Sequence, residues 1–485
     1  MALIKGTTGS TEKQTVSERL NQSAYSYYSS TVIAPSGDRS TATGLKRFFA
    51  AALLSSSSIM VLSSPASALG PATCNPVMPA NGTTVNCTGV TTSSQDFTGD
   101  DLTIIADENF NQDTSGNAIG AQRVNAGIFI TGSGGTIQHS GTIRTGEIPE
   151  GMGTYGRHNG LYIIGGAGDV SAENTATGSI TTTAVESAGI QVSATTGTST
   201  ATNRGTILTQ ARESYGVAAS NANASVSRNY GTVTTQGDQS HGVYAETSTT
   251  GGSATATNAS GATINVGGDL TAGVISIGST GAGTSNASNA GTINVTGDDG
   301  SAGVAALSED GAATAGNTGL ITLQSNVSDA MKFGGYSQDI GVFASTNGTA
   351  TATNGMGASN TDSGQRRSSG VFATASVVEP FNKAPMMVAI SGGGTANATN
   401  DGTITLTGDR SYGLVAFGPG GTSTATNNGS ITVTGDNSAG IATNGNTTNV
   451  NNTGTVTVTG DATYGVRATS VTLATTNVTN SGTIT

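Results

Sequence analysis

The phrase NAGTINVTGDDGSAGVAA, residues 289–306, constrains this chain more than any other feature, because close copies of it return about ten times. Aligned on the Ile or Val that follows Gly-Thr, the copies stand at Ile180, Ile207, Val233, Ile264, Ile293, Ile321, Ile404, Ile431, Val456 and Ile484. Most spacings lie between 25 and 31 residues. A unit of that size and polarity cannot bury a core alone, so it must stack on its neighbours as a solenoid. The 83-residue gap from Ile321 to Ile404 holds at least one degenerate copy, marked by Gly370-Val371.

Each copy carries three apolar segments. The first reads GTITLT at 402–407, where Ile404 and Leu406 alternate with threonines, the period of a strand with one buried face. The second follows a Gly, as in YGLVA at 412–416 and YGVRA at 464–468. There Arg467 must face out, so Val466 and Ala468 face in. The third precedes an Asn, with a small apolar residue two positions before it: Ala201, Ala256, Ala287, Ala315, Ala398, Ala425, Val450 and Val478. Three short strands per turn with corners between them predict an all-β, right-handed parallel β-helix. Helices are disfavoured, since Thr, Asn and Gly are weak helix formers and no 3.6-residue period exists. About a dozen rungs from residue 125 onward, at about 4.8 Å each, make a rod of roughly 60 Å.

From the first strand to the second the interval is ten residues in seven copies and eleven in the eighth, 293→304. That corner carries Gly-Asp, as at Gly408-Asp409, and reads as a tight turn. The variable interval lies between the second and third strands, so that corner is expected to project loops, which added length costs little. Two columns follow. Asn203, Asn229, Asn289, Asn317, Asn400, Asn427, Asn452 and Asn480 each lie four residues before the next Ile or Val and are expected to form a ladder of stacked amides. Asp238, Asp269, Asp298, Asp409, Asp436 and Asp461 stack like charges, at about 1 kcal/mol per neighbouring pair in water. The Gly-Gly-x-Gly-x-Asp calcium repeat is absent, so no metal is expected.

Composition narrows the function classes. Charged residues are 10% and aromatics 4%, with no Trp and 72 Gly; only the regular placing of the few apolar residues separates this chain from a disordered one. The net charge is −12; residues 1–68 carry +3, leaving −15 on the rest, where Lys332 and Lys383 are the only lysines. Such a chain offers no phosphate-tracking surface, which excludes nucleic acid as a partner.

The segment LKRFFAAALLSSSSIMVLSSPASALG has the order of a secretory signal: Lys46 and Arg47, an interrupted apolar stretch from Phe48 to Leu62, then Ala66 and Ala68 at the cleavage subsites. A transmembrane helix needs about 20 apolar residues, more than this stretch has. Cys74 and Cys87 follow closely, and in an exported protein two such cysteines are expected to form one disulfide. The organisation expected is a polar, disordered extension over 1–44, a signal peptide over 45–68, an N-terminal cap region with the disulfide over 69–124, and the solenoid over 125–485.

Chemistry is scarce. His139, His158 and His241 lie in no metal-ligand spacing, and no nucleophile elbow or P-loop occurs. No cluster of acids breaks the repeat, so neither catalysis nor a cofactor is expected. The repeat is interrupted at 144–160 and 325–400, read as irregular insertions. Their candidate ligand-contact residues are Tyr155, Arg157, His158, Phe381 and Lys383.

A signal peptide followed by imperfect N-x-GTI-x-V-x-GD-x-S-x-GV repeats resembles the passenger region of Gram-negative autotransporters, over roughly residues 69–485. The resemblance implies a β-helical passenger carried across the outer membrane by a C-terminal β-barrel of the same chain. It also implies a host or cell-surface glycan or protein as partner. No barrel lies within these 485 residues, and the native product is expected to continue past Thr485 into one. The function expected is an exported structural and adhesive passenger at the cell surface or secreted; the alternative is a secreted β-helical glycan-active enzyme, which a carboxylate cluster on one face would favour. Ice binding through the outward threonines is a third idea, disfavoured by the uneven rung lengths.

The signal reading is tested by N-terminal sequencing of the exported product. It should begin at Leu69; a mature protein that retains Phe48–Leu62 defeats the assignment.

Overall fold

The computed structural model describes residues 74–115, 126–146, 158–220, 223–278, 281, 283–297, 301–324, 339–362, 368–374 and 394–485. Among these residues every element of regular structure is a strand. The first strands of successive rungs, from Val90–Thr91 to Thr483–Ile484, form one sheet of 14 strands, and the second and third strands form another of 25. Pairing is parallel throughout except where Cys74–Asn75 runs antiparallel to Thr84–Cys87. The protein is a β-solenoid. The region expected as a separate cap, 69–124, belongs to the coil as far as it is described: Thr84–Cys87 stacks in parallel on Thr103–Ala106, and Val90–Thr91 on Asn111–Asp113. A disulfide joins Cys74 to Cys87 at this end.

The core is a set of vertical columns. Ile143, Ile180, Ile207, Val233, Ile264, Ile293, Ile321, Ile404, Ile431 and Val456 are wholly buried, each stacked on its counterpart one rung away. Burying one such side chain is worth about 1.5–3 kcal/mol. The long gap in this series contains one further first strand, Ser359–Asp362, which seats Asn360 between Ile321 and Ile404. Residues 325–400 are therefore not one irregular insertion. They hold the strands Asp339–Ser345, Thr349–Asn354, Ser359–Asp362, Ser368–Thr374 and Thr395–Asn400, in register with their neighbours. The insertion read over 144–160 likewise begins inside a strand, Thr142–Thr145.

The Gly that opens each second strand lets the coil close tightly. A Cβ at Gly413 would lie 2.4 Å from Ile431 Cγ2 and 2.6 Å from the Gly440 carbonyl oxygen. The corner between first and second strands is tight as expected, with positive φ at its Gly (152° at Gly408, 148° at Gly435, 143° at Gly460) and also at the residue after the Asp: 59° at Arg410, 58° at Asn437 and 53° at Ala462. Three of these Asp carboxylates accept the backbone N–H of the Asp one rung on, at 3.0 Å from Asp238 to Asp269, 2.9 Å from Asp409 to Asp436 and 2.7 Å from Asp436 to Asp461; Asp298 lies outside the described residues. These bonds offset part of the like-charge repulsion.

The corner between third and first strands is closed by amides. Eleven asparagines, the eight expected ones plus Asn174, Asn258 and Asn354, are joined by ten bonds from Nδ2 to the next Oδ1 at 2.7–3.0 Å. The same Nδ2 groups reach corner carbonyls, for example Gly205, Gly231, Gly291 and Gly319 at 3.1 Å. The three added asparagines precede six-residue corners, each with one more turn, such as Gly178 N–H to the Thr175 carbonyl at 3.0 Å. At the foot of the ladder His139 takes the Asn position and its Nδ1 donates to Asn174 Oδ1 at 2.9 Å. Burial holds this imidazole down at about 4, against the pull of the Asn174 bond. Below it the column continues through Ala106 to Cys87, so the disulfide lies under the ladder.

The variable corner between second and third strands carries the loops, for example around Gly251 and Gly281. In the last three rungs that corner is no longer a break. Tyr412–Asn427, Ala439–Asn452 and Tyr464–Asn480 are each continuous strands, with register shifts at Gly418/Thr422 and Gly445/Thr447. Val466 and Ala468 pack against the core as expected. Val478 stacks in register on the buried Val450, as expected for the inward column.

Two substitutions test these assignments. Ile431→Asp places an unpaired charge between Ile404 and Val456 and should cost several kcal/mol, whereas Thr432→Asp on the outer face should shift the thermal midpoint only slightly; equal losses would reverse the strand faces. Asn289→Ala removes the acceptor of Asn258 and the donor to Asn317, two buried groups. Its cost should be about 2–5 kcal/mol, against less than about 0.5 kcal/mol for the exposed Asn428→Ala, as read by chemical denaturation.

Candidate functional site

The three outer faces of the coil differ in chemistry, and the difference follows from the strands. Outward positions of the first strands are mostly Thr, Ser and Asn, half-buried or exposed. Those of the third strands are similar, as in Ser253–Asn258 and Thr349–Asn354. The second strands are apolar on both sides: Ala302–Ser308 is buried at every position, and Ala272–Gly278 at all but one. Their outward column runs Ala218, Tyr244, Ile275, Ala305 and Phe343 in register. With Leu307 and Ile340 these side chains form an apolar cluster separate from the main core.

One end of that cluster holds the densest set of chemically able groups among the described residues. Tyr215, His241 and Tyr244 lie ring to ring, with centroids 4.7 Å apart for Tyr215–Tyr244 and a 9° interplanar angle for His241–Tyr244. The Tyr244 hydroxyl donates to Glu246 Oε2 at 2.5 Å. The Ala272 N–H donates to His241 Nδ1 at 3.0 Å, so the ring is neutral with its proton on Nε2. Burial sets the protonation states. It holds His241 down at about 4, pushes the Tyr244 phenol well above its usual range with help from Glu246, and raises Glu246 against the Tyr244 bond. The set stores one acid and two hydrogen-bonding rings, without a second carboxylate to complete an acid–base pair.

Carboxylates meet elsewhere. Glu186 and Glu213 occupy the left-handed position of adjacent first corners, with φ of 60° and 58°. Burial raises Glu213, while Arg212, 3.6 Å away, and a hydrogen bond with Glu186 lower it. At the loop corner Glu309 accepts the Gly281 N–H at 3.1 Å and is raised by burial, and Asp310 accepts from Asn347 Nδ2 at 3.2 Å. Arg204 lies 4.5 Å over the Tyr230 ring and 2.6 Å from Glu173 on the exposed third corner, where such a pair adds little stability. Among the described residues no group of three or more His, Cys, Asp or Glu is gathered to hold a metal ion.

Of the residues singled out in the sequence as candidate ligand contacts, His158 is the one that is described. It is buried, its N–H donates to Ser187 Oγ at 3.2 Å and its carbonyl accepts from Thr145 Oγ1 at 2.7 Å. It heads an inner column of hydroxyls at the first corner, where Ser187, Ser214, Ser240, Ser411 and Ser438 are wholly buried. Tyr155, Arg157, Phe381 and Lys383 lie outside the described residues, as do Ala66 and Ala68. Sequence reading missed the Tyr215–His241–Tyr244–Glu246 set. The signal was there in AGVISIG and IGVFAS, where apolar residues fall on both parities and mark strands buried on two faces.

No protein-family model matches the chain, and no match was found among curated proteins or solved structures.

Proposed function

We propose that this chain is an exported passenger with a structural and adhesive role, displayed at a Gram-negative cell surface or released from it, and that it does not catalyse a reaction. The observation that carries the reading is the uninterrupted stack itself. Parallel register runs from Val90 to Ile484, and the outer faces of the first and third strands are made mostly of hydroxyl and amide side chains. Such a rod has reach and a repeating surface, which suit contact with another surface better than they suit a reaction.

Export is supported by the Lys46–Ala68 signal pattern and the Cys74–Cys87 disulfide, which belongs to an oxidising compartment. Passage through the outer membrane by a β-barrel of the same reading frame rests on the autotransporter resemblance. The partner class is a glycan or protein of a host or cell surface; the surplus of acids disfavours nucleic acid. The glycan-active reading draws on Glu186 and Glu213 at adjacent first corners, where burial raises Glu213.

The test expresses the complete native gene in a Gram-negative host. Protease added to intact cells should remove the passenger, and cells carrying it should attach to surfaces that cells lacking it do not hold. The purified chain should release no reducing sugar from a polysaccharide panel. A periplasmic, protease-protected product, or a release of sugar lost in Glu213→Gln, overturns the reading.

A further inference from the structure

We propose that the C-terminal first strands form a threonine lattice that binds the ordered water of an ice surface. This goes beyond the adhesive reading, whose partner is a glycan or protein surface, and is tested separately from it. The strands Thr403–Thr407, Ser430–Thr434 and Thr455–Thr459 read TITLT, SITVT and TVTVT. They pair in parallel with no shift of register, Thr405 on Thr432 on Thr457 and Thr407 on Thr434 on Thr459, and Thr483 continues the first column above Thr455. Every outward position is Thr except Ser430, and each is exposed or half-buried. The grid repeats at about 4.8 Å between rungs and about 6.8 Å along each strand.

Three properties select the ligand. First, the lattice carries no charged side chain: the acids of these rungs, Asp409, Asp436 and Asp461, stand at the next corner. The partner surface is therefore uncharged. Second, it carries no aromatic or Arg anchor of the kind that dominates protein recognition and sugar stacking. Third, it is regular in two dimensions, which matters only to a ligand that is itself a lattice. Threonine suits such a ligand. Its χ1 is stiff, its methyl is apolar, and its hydroxyl both donates and accepts, so a row of them holds water in fixed places at small entropic cost. Each contact is weak, and a rigid array adds them without an ordering penalty.

Uneven rung lengths, which disfavoured this idea in the sequence, do not reach the lattice. The variation falls between the second and third strands, at Gly418/Thr422 and Gly445/Thr447, while the first strands keep their register. Further down the same face the grid is broken by Leu208 and Leu320.

The experiment grows ice slowly in a solution of the purified chain and measures the protein taken into the ice, with a globular protein of similar mass as reference. The chain should enter the ice. The variant Thr405→Tyr/Thr432→Tyr/Thr457→Tyr should enter about tenfold less, the change that about 1.4 kcal/mol of lost binding produces, at an unchanged far-ultraviolet dichroism spectrum and thermal midpoint. Thr234→Tyr, outside the lattice, should behave as the parent. Should the triple variant not fold, the single Thr432→Tyr carries the comparison. Exclusion of the parent chain from ice, equal uptake of the variants, or retention on microcrystalline cellulose without ice uptake overturns the proposal. Protease accessibility on intact cells is scored separately: exclusion from ice by a surface-accessible passenger overturns the lattice alone, while protease protection overturns the adhesive reading.

Discussion

The buried amide column is the interaction on which the coil depends. A solenoid with a thin interior of Ala, Val and Ile has little apolar area per rung, and its corners expose carbonyls that water cannot reach. The asparagines answer both needs. Each Nδ2 satisfies a neighbouring amide and a corner carbonyl at once, and ten such bonds run head to tail in one direction. Chains of hydrogen bonds in a low dielectric polarise one another, and a half-satisfied one is costly. The column therefore fixes which residue stacks on which. A rung that slipped by one residue would leave two buried amides without partners and turn an Ile to solvent.

The close approach at Gly is the complement of that ladder. A Cβ at Gly429 would come within 2.0 Å of the Gly402 carbonyl oxygen, just beside the amides of Asn400 and Asn427. Small residues at the corners and amides behind them make each rung a copy of the last in backbone but leave the outer side chains free to vary. At the lower end the pattern is closed by different means. His139 is neutral and caps the first amide, Phe110 meets its ring edge-on at 6.3 Å, and the disulfide holds the strand beneath.

Much of this was legible in the sequence because the signal repeats. One Ile every 25–31 residues would be weak evidence; ten of them, eight with an Asn four residues upstream and eight with a Gly nine or ten residues downstream, define three strands and two corners. The misreadings have physical causes. Asn360 replaces Ile in a core column, so the degenerate copy marked by Gly370-Val371 showed its second strand in the sequence but not its first, although the backbone keeps both in register. Asn174, Asn258 and Asn354 were missed because a longer turn moved them two places, although the amide arrives at the same point in space. The first corner takes positive φ at the residue after the Asp as well as at its Gly, since the carboxylate is committed to the next rung's N–H. The candidate site was the least legible part. Tyr244 and Glu246 sit on a face presumed wet, and nothing in a period-2 pattern says that an outward column is buried.

These features separate the two jobs of the chain. The inward columns and the amide ladder make stability a sum over nearest-neighbour rungs, so no single outer position is needed to hold the fold. What faces outward can then be set face by face: apolar on the second strands, acids at the first corner, loops at the second, and hydroxyls on the first and third. Long side chains and charges are scarce because a repeat that stacks identical residues at about 4.8 Å stacks their charges too, and only the Asp column, whose carboxylates are bonded to the next rung, carries that repulsion in bulk. The poverty of the composition is thus a consequence of the fold, and the hydroxyl-rich faces are what such a composition leaves for contact with the outside.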